Sequence, residues 1–279
     1  MYDDTTGRRR RFAEEAREER PDLALLCLLI GAEAEAGLRE DELDAAQIEL
    51  DRLAGLLPAL GRGADPRRWA EALAALLGER HGFRGSPADY RRLDSSLLHE
   101  VLRRRRGLPI LLSVIWMEVA RRAGAPVYGV ALPGHFVVGF GDPWGRHALA
   151  DPFDGGRVLT EDDARLLVAG ATGSPLEPAL FSPAEPLEIV LRVLNNIRAW
   201  AAARPERSDV QLWAVELSLL LPTHPARLRY ERAELLVERG EFARGARELE
   251  EYAEVIAPVE PAAAESVRHQ ALAARAMLN

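Results

Sequence analysis

Residues 106–153 read RGLPILLSVIWMEVARRAGAPVYGVALPGHFVVGFGDPWGRHALADPF, and here the helical period, the strand signals and the polar residues fall into register. Ile110, Leu111, Val114, Ile115, Met117 and Val119 recur close to the period of an α-helix, after a Gly-Leu-Pro start and before Arg121-Arg122-Ala123-Gly124. That spacing predicts a helix of about four turns. Pro109 fits its first turn, where a missing amide proton costs nothing, and Gly124 supplies the left-handed residue that stops it. Three β-rich segments follow at 127–132, 135–140 and 147–153.

Working outward, residues 1–20 are highly charged and predict a frayed end, whereas three helices follow at 22–38, 42–60 and 66–80. Leu23, Leu26, Leu29 and Ile30 give the first of these one apolar face, and Trp69, Leu73, Leu76 and Leu77 give the third its inner side. The linker 81–87 leads to Asp94-Ser95-Ser96, which reads as the N-cap of a helix at 97–105. Beyond the central stretch, Gly155-Gly156 makes a turn, 157–160 a fourth short strand, and Thr160 opens a helix with an acidic first turn. Segment 170–186, with Pro175, Pro178, Pro183 and Pro186, reads as a boundary.

From Leu187 the chain reads as helical to its end. A helix pair at 226–239 and 243–256, joined through Gly240-Glu241-Phe242 and stopped by Pro258, has the length of a tetratricopeptide unit, about 34 residues. Segments 210–221 and 263–278 are its flanking helices. The pattern predicts an α+β protein: an N-terminal helical layer over 1–82, a core of helices packed on a small antiparallel sheet over 83–185, and a helical repeat-type module over 186–279.

With 279 residues the chain can bury a sizeable core. Cys27 is its single cysteine, which rules out an intrachain disulfide and a multi-cysteine zinc site and fits a reducing cytoplasm. The first apolar run, 23–30, is too short for a membrane span and lacks a signal-peptide layout. A net charge of -8 disfavours nucleic acid as a partner, since phosphate neutralisation dominates such binding.

His135 and Asp151 are the candidate catalytic pair. A hairpin joining Phe140 to Arg146 or His147 would set His135 opposite Asp151 or Pro152, and a carboxylate beside an imidazole orients a general base. No nucleophile accompanies them. Gly107, Leu108, Pro109 and Ile110 at the head of the central helix carry no nucleophilic atom, and Cys27 lies in an apolar run. Ser113, four residues after Pro109 and hence on the same helix face, is the substitute to weigh against a serine bonded within its own helix. The run 103–106 of arginines suits a helix C-terminus or an anionic partner. The six histidines show no HxxxH or HxH spacing and no phosphate-cradling loop is present, so neither metal nor cofactor is expected.

Several motifs occur together: Asp94-Ser95 with Leu98 and Val101-Leu102, RRRGLPI at 104–110, RRAGAPVYGV at 121–130, LPGHF at 132–136 and DPFDGG at 151–156. With these the stretch 83–167 resembles the bacterial SirB-type transglutaminase-like family, the second transglutaminase-like core. The resemblance runs on through Leu194-Asn195-Asn196-Ile197 and the helix pair after Pro222, where that family carries a tetratricopeptide-like tail. It implies a transglutaminase-like, cysteine-protease-like core with His135 and Asp151 at two triad positions. Pro109, two residues after Gly107, falls where the nucleophilic Cys would stand. Loss of such a nucleophile costs about six orders of magnitude in rate, so thioester acyl transfer is not expected. The expectation is a non-catalytic protein binding a polypeptide through the former active-site groove and the helical tail, with Arg104, Arg106, Gly134 and Phe136 at the binding surface. The alternative is a hydrolase or protease-like enzyme using His135 and Asp151 with Ser113 or a water.

Overall fold

The computed structural model describes residues 2–61, 63–172 and 178–278. They form two compact units, Met1–Arg8 with Glu19–Val193, and Arg9–Glu18 with Leu194–Asn279. Part of the expected boundary segment, 173–177 with Pro175, lies outside the described residues.

The N-terminus is not frayed: α1 (Tyr2–Glu15) is a regular helix. Phe12 and Ala16 are buried, and Arg8 donates to the carbonyls of Ala32 and Leu38, so a short apolar contact and one cation outweigh the charged composition. α2 (Leu23–Ala34) starts where the Asp22 carboxylate accepts from Leu25 N. It is buried on nearly every side, not on one face, which is what LALLCLLI allows. α3 (Glu40–Ala54) buries Leu43, Ala46, Leu50 and Leu53 and ends short of residue 60. α4 (Pro66–Leu73) continues as a π-helical segment, Ala74–Arg80, and together they bury Trp69, Leu73, Leu76 and Leu77.

Asp94, Ser95 and Ser96 do not cap the next helix. They lie in a 3-10 turn, Leu93–Ser96, and α5 (Leu98–Arg104) starts from Leu97 without a side-chain cap bond. Ser95 is otherwise engaged, its hydroxyl on Asp89. Arg105, with φ 57°, turns the chain at the end of α5. The central helix α6 (Pro109–Arg122) has Pro109 in its first turn and buries every residue from Pro109 to Ala120. Gly124 follows with φ 82°.

The sheet is antiparallel throughout, in the order β1 (Val127–Val130), β2 (Val137–Gly141), β3 (His147–Asp151) and β4 (Arg157–Leu159). Its strands are shorter than the β-rich runs. Pro133 and Gly134, the latter with φ 68°, make a turn between β1 and β2, with His135 N donating to Leu132 O. Pro152 lacks the amide that a longer β3 would need, and residues 152–154 wind into a single 3-10 turn. His135 is therefore in the turn before β2. The register also differs from the expected one: Phe140 pairs with Ala148, because the 142–145 turn leaves Gly141 opposite His147. Val130, Leu132, Val137, Leu149, Leu159 and Val168 form the core under the sheet, the last from α7 (Glu161–Thr172).

Besides Arg9–Glu18 and the last part of α8 (Pro186–Ala202), the second unit contains α9 (Ser208–Leu220), α10 (Arg227–Glu238), α11 (Phe242–Ile256) and α12 (Pro261–Ala276). Ala233, Leu249, Ala253, Ala264, Val267 and Ala271 form its core, and the four alanines let the helices approach closely. Gly245 is part of that approach: a Cβ there would lie 2.6 Å from Val237 Cγ2. Among the described residues no helix is long and apolar enough to cross a membrane.

Candidate functional site

His135 and Asp151 meet although His135 lies in a turn and the β2–β3 register differs from the expected one. Nε2 of His135 is 2.9 Å from Asp151 Oδ2, with both side chains largely buried. Nε2 has no aligned hydrogen-bond partner among the described residues, so the contact is an ion pair by separation when the ring is protonated. Asp151 ends β3 and turns its other oxygen, Oδ1, to the amide of Phe153 at 2.9 Å, capping the 3-10 turn. The carboxylate is thereby fixed in direction before the imidazole reaches it.

The turn that carries His135 is held from α8. Arg192 Nη2 donates to the carbonyls of Leu132 and His135, each at 2.7 Å, and the guanidinium lies 5.6 Å from the Phe136 ring centroid. Burial pushes the Arg192 pKa below its ordinary value. On the other side the Phe153 ring meets His135 edge to face at 5.9 Å, and Tyr90 meets Phe153 at 6.1 Å. Desolvation, and then the Asp151 charge, raise the Tyr90 phenol above its usual pKa even though the residue is 50% exposed. Tyr90, Phe153 and Arg192 escape a reading of the sequence, since only the fold places them by His135.

The candidate residues for a nucleophile or its place are all buried. Pro109 is buried in the first turn of α6. Ser113 is fully buried and its Oγ donates to Phe136 O at 3.3 Å, so it ties α6 to the turn ahead of β2 instead of bonding within its own helix. Cys27 is buried in α2, and burial, with the charge of Glu118 next, pushes its thiol far above the range in which a thiolate forms.

The expected binding residues divide. Phe136 is buried, its ring against Gly129 and under Arg192, and offers no face to a partner. Gly134 is exposed at the turn. In the arginine run Arg103 pairs with Glu100, Arg104 lies 3.7 Å from Asp89 and from Asp94, and Arg105 donates to His81 O. Arg106 is exposed and has no ion-pair partner among the described residues. Asp89, buried, accepts from Ser86 N, Ser86 Oγ and Ser95 Oγ and so knits the 86–96 loop together. Ser95 O in turn accepts from Leu108 N at the head of α6.

A central helix packed beside an antiparallel sheet, with a His from the turn before β2 and an Asp from the end of β3, defines a transglutaminase-like core joined to a tetratricopeptide-like helical module. The chain belongs to the transglutaminase-like superfamily, whose model matches residues 41–195, and a tetratricopeptide repeat model matches residues 197–279. A UPF0162 protein of Xylella fastidiosa is 35% identical over 169 residues, 58% of this chain and 60% of that protein. One of Pseudomonas aeruginosa is 39% identical over 113 residues, 40% of this chain and 41% of that protein. The mouse protein called F-box only protein 21 is 26% identical over 166 residues, 56% of this chain and 25% of that protein. The chain thus spans about 60% of the length of the Xylella relative. Repeats of the tetratricopeptide kind generally mediate protein–protein interaction.

Proposed function

We propose that this is a non-catalytic transglutaminase-like protein of the cytoplasm that binds a polypeptide, using the surface around His135 and the helical module. The observation that carries this reading is the burial of Pro109, which the family resemblance sets at the nucleophile's place, together with the Ser113 hydroxyl spent on Phe136 O inside the core. The exposed Tyr90 and Gly134 and the part-buried Phe153 offer rings and bare backbone to an extended chain, and Arg106 offers an exposed cation. Rings of this kind anchor interfaces because they bury large area at small entropic cost.

The test begins with a partner captured on the immobilised protein and identified by mass spectrometry, then titrated by calorimetry against purified variants. Tyr90→Ala and His135→Ala should each weaken binding by about tenfold, equivalent to about 1.4 kcal/mol. Unchanged affinity in both would remove the surface around His135 from the proposal.

One observation favours a second reading: His135 keeps its carboxylate at 2.9 Å, and its Nδ1 has no partner among the described residues. In that reading the pair activates a water, or Ser113 after the core opens, and the protein is a hydrolase or protease-like enzyme. Hydrolysis of a panel of peptides and acyl esters, abolished by His135→Ala, would support it. Absence of turnover above the His135→Ala background leaves the binding role.

A further inference from the structure

Glu35, His99 and Glu100 are brought together from two helices far apart in the chain. Glu35 is the C-cap of α2, and His99 and Glu100 lie in the first turn of α5. One nitrogen or oxygen atom from each lies within 4.8 Å of the others. Gly31 makes the approach possible, because a Cβ there would fall 2.3 Å from His99 Nδ1. The imidazole rests where any other residue of α2 would put a side chain.

The imidazole is left without hydrogen bonds in this position. Its side chain is only 10% exposed, and both ring nitrogens are buried with no hydrogen-bond partner. A buried polar group in that condition typically costs about 1–3 kcal/mol. Nε2 nevertheless stands 3.3 Å from Glu35 Oε1. That separation also fits a shared ion: bonds of about 2.1 Å to a nitrogen and an oxygen in tetrahedral geometry set the two atoms about 3.4 Å apart. Glu100 is buried, and Arg103 binds one of its oxygens at 2.5 Å, leaving the other without a protein partner among the described residues. The cluster borders a cavity of about 480 Å³ whose other charged lining residues are Glu42, Glu49, Arg103 and Arg105.

We propose that Glu35, His99 and Glu100 form a binding site for a divalent first-row transition ion, zinc in the first place. One imidazole and two carboxylates form a borderline donor set. It suits zinc, manganese or iron(II) better than magnesium or calcium, which take oxygen alone, or copper(I), which takes thiolates. Glu35 and the Glu100 oxygen that Arg103 leaves open offer anionic oxygens to the ion, and three protein ligands leave a further coordination position for water or a small ligand from the cavity. Spacing rules could not have found the site, since its histidine is single and Glu35 comes from another helix. The site is independent of the His135 surface and of any binding role there.

The test is calorimetric titration of the chelator-stripped full chain with zinc chloride, together with its thermal midpoint with and without zinc. One equivalent should bind and raise the midpoint. His99→Gln and Glu35→Gln should each weaken binding at least tenfold and remove the rise, with circular dichroism confirming that both stay folded. Glu35 is 44% exposed, so its variant reports even if His99→Gln does not fold. The exposed pair His269 and Glu265 on α12, 3.4 Å apart, is the competing surface site, and His269→Gln should change nothing. No zinc uptake, or uptake that survives either Glu35→Gln or His99→Gln within threefold, overturns the proposal.

Discussion

Arg192 holds His135 by its main chain, Nη2 donating to the His135 carbonyl at 2.7 Å. The same nitrogen reaches Leu132 O at 2.7 Å, so a single cation from α8 closes both ends of the turn that presents the imidazole. The part-buried guanidinium loses part of its hydration, which lowers its pKa, and two carbonyl acceptors and the Phe136 ring offset that loss.

Replacing Arg192 by Met should therefore destabilise the first unit by about 2–4 kcal/mol, because hydrogen bonds to charged groups contribute about 1.5–3 kcal/mol each. Arg192→Lys keeps the charge without the fork and should fall between. Urea unfolding measures the difference. A loss under about 1 kcal/mol for Arg192→Met would mean that the turn closes without the cation.

Asp151 has two tasks, and substitutions separate them. Asp151→Asn can still accept from Phe153 N, whereas Asp151→Ala cannot, so Ala should cost about 1–2 kcal/mol more than Asn, the usual worth of such a cap. Equal stability of the two variants in urea would show that the Phe153 amide finds another acceptor and that Oδ1 does not set the carboxylate's direction.

The α6 boundaries were legible because Pro109 and Gly124 act through the backbone alone, one by a missing amide and the other by a positive φ. The turn at Gly240, with φ 82°, was legible for the same reason. Strand ends were not: 131–132 and 135–136 read as strand, and the Pro133-Gly134 turn closed by Arg192 takes them out of β1 and β2. α1 carries too few apolar residues for a period, and its order rests on Phe12, Ala16 and Arg8. The partners of His135 are long-range in the same sense, since nothing near Tyr90 or Arg192 in the chain announces them.

A pH effect should appear at the start of α7. Thr160 Oγ1 and N donate to the Asp163 carboxylate, and Arg157 adds a third bond, which together hold Asp163 well below the usual carboxylate pKa. A depressed folded pKa gives a contribution that is present above the unfolded pKa, about 3.9, and is lost as pH falls through the folded value. Wild type should therefore exceed Asp163→Asn in urea midpoint at pH 6, and the gap should narrow steadily below pH ~4. A gap that stays constant from pH 6 to pH 2 would contradict the assignment.

Cys27 should be silent in the folded protein. Its thiol is buried in α2 and its ionisation strongly disfavoured by that burial, so a thiol reagent at pH 8 should label it only as fast as the unit opens. Labelling should accelerate in urea along the unfolding transition. Rapid, stoichiometric labelling in buffer would show that α2 opens locally.

The most searching substitution lies outside the pair itself. A Cβ on Gly85 would fall 1.9 Å from Cδ2 and Cε2 of Phe153 and 2.9 Å from Gly107 O, so Gly85→Ala must displace the ring that meets His135 edge to face. Overpacking of this kind costs about 1–3 kcal/mol. If the ring is the main obstacle, Phe153→Ala makes room, and Gly85→Ala should cost less than half as much in that background. The His135 ring protons, which sense the aromatic edge, should shift in the Gly85→Ala spectrum while those of His269 on α12 do not. Strict additivity of the two substitutions, within about 0.3 kcal/mol, would mean that Gly85 and Phe153 do not compete for space. The packing of Phe153 beside His135 would then need revision, and with it the reading of that surface as a shaped receptor for a chain.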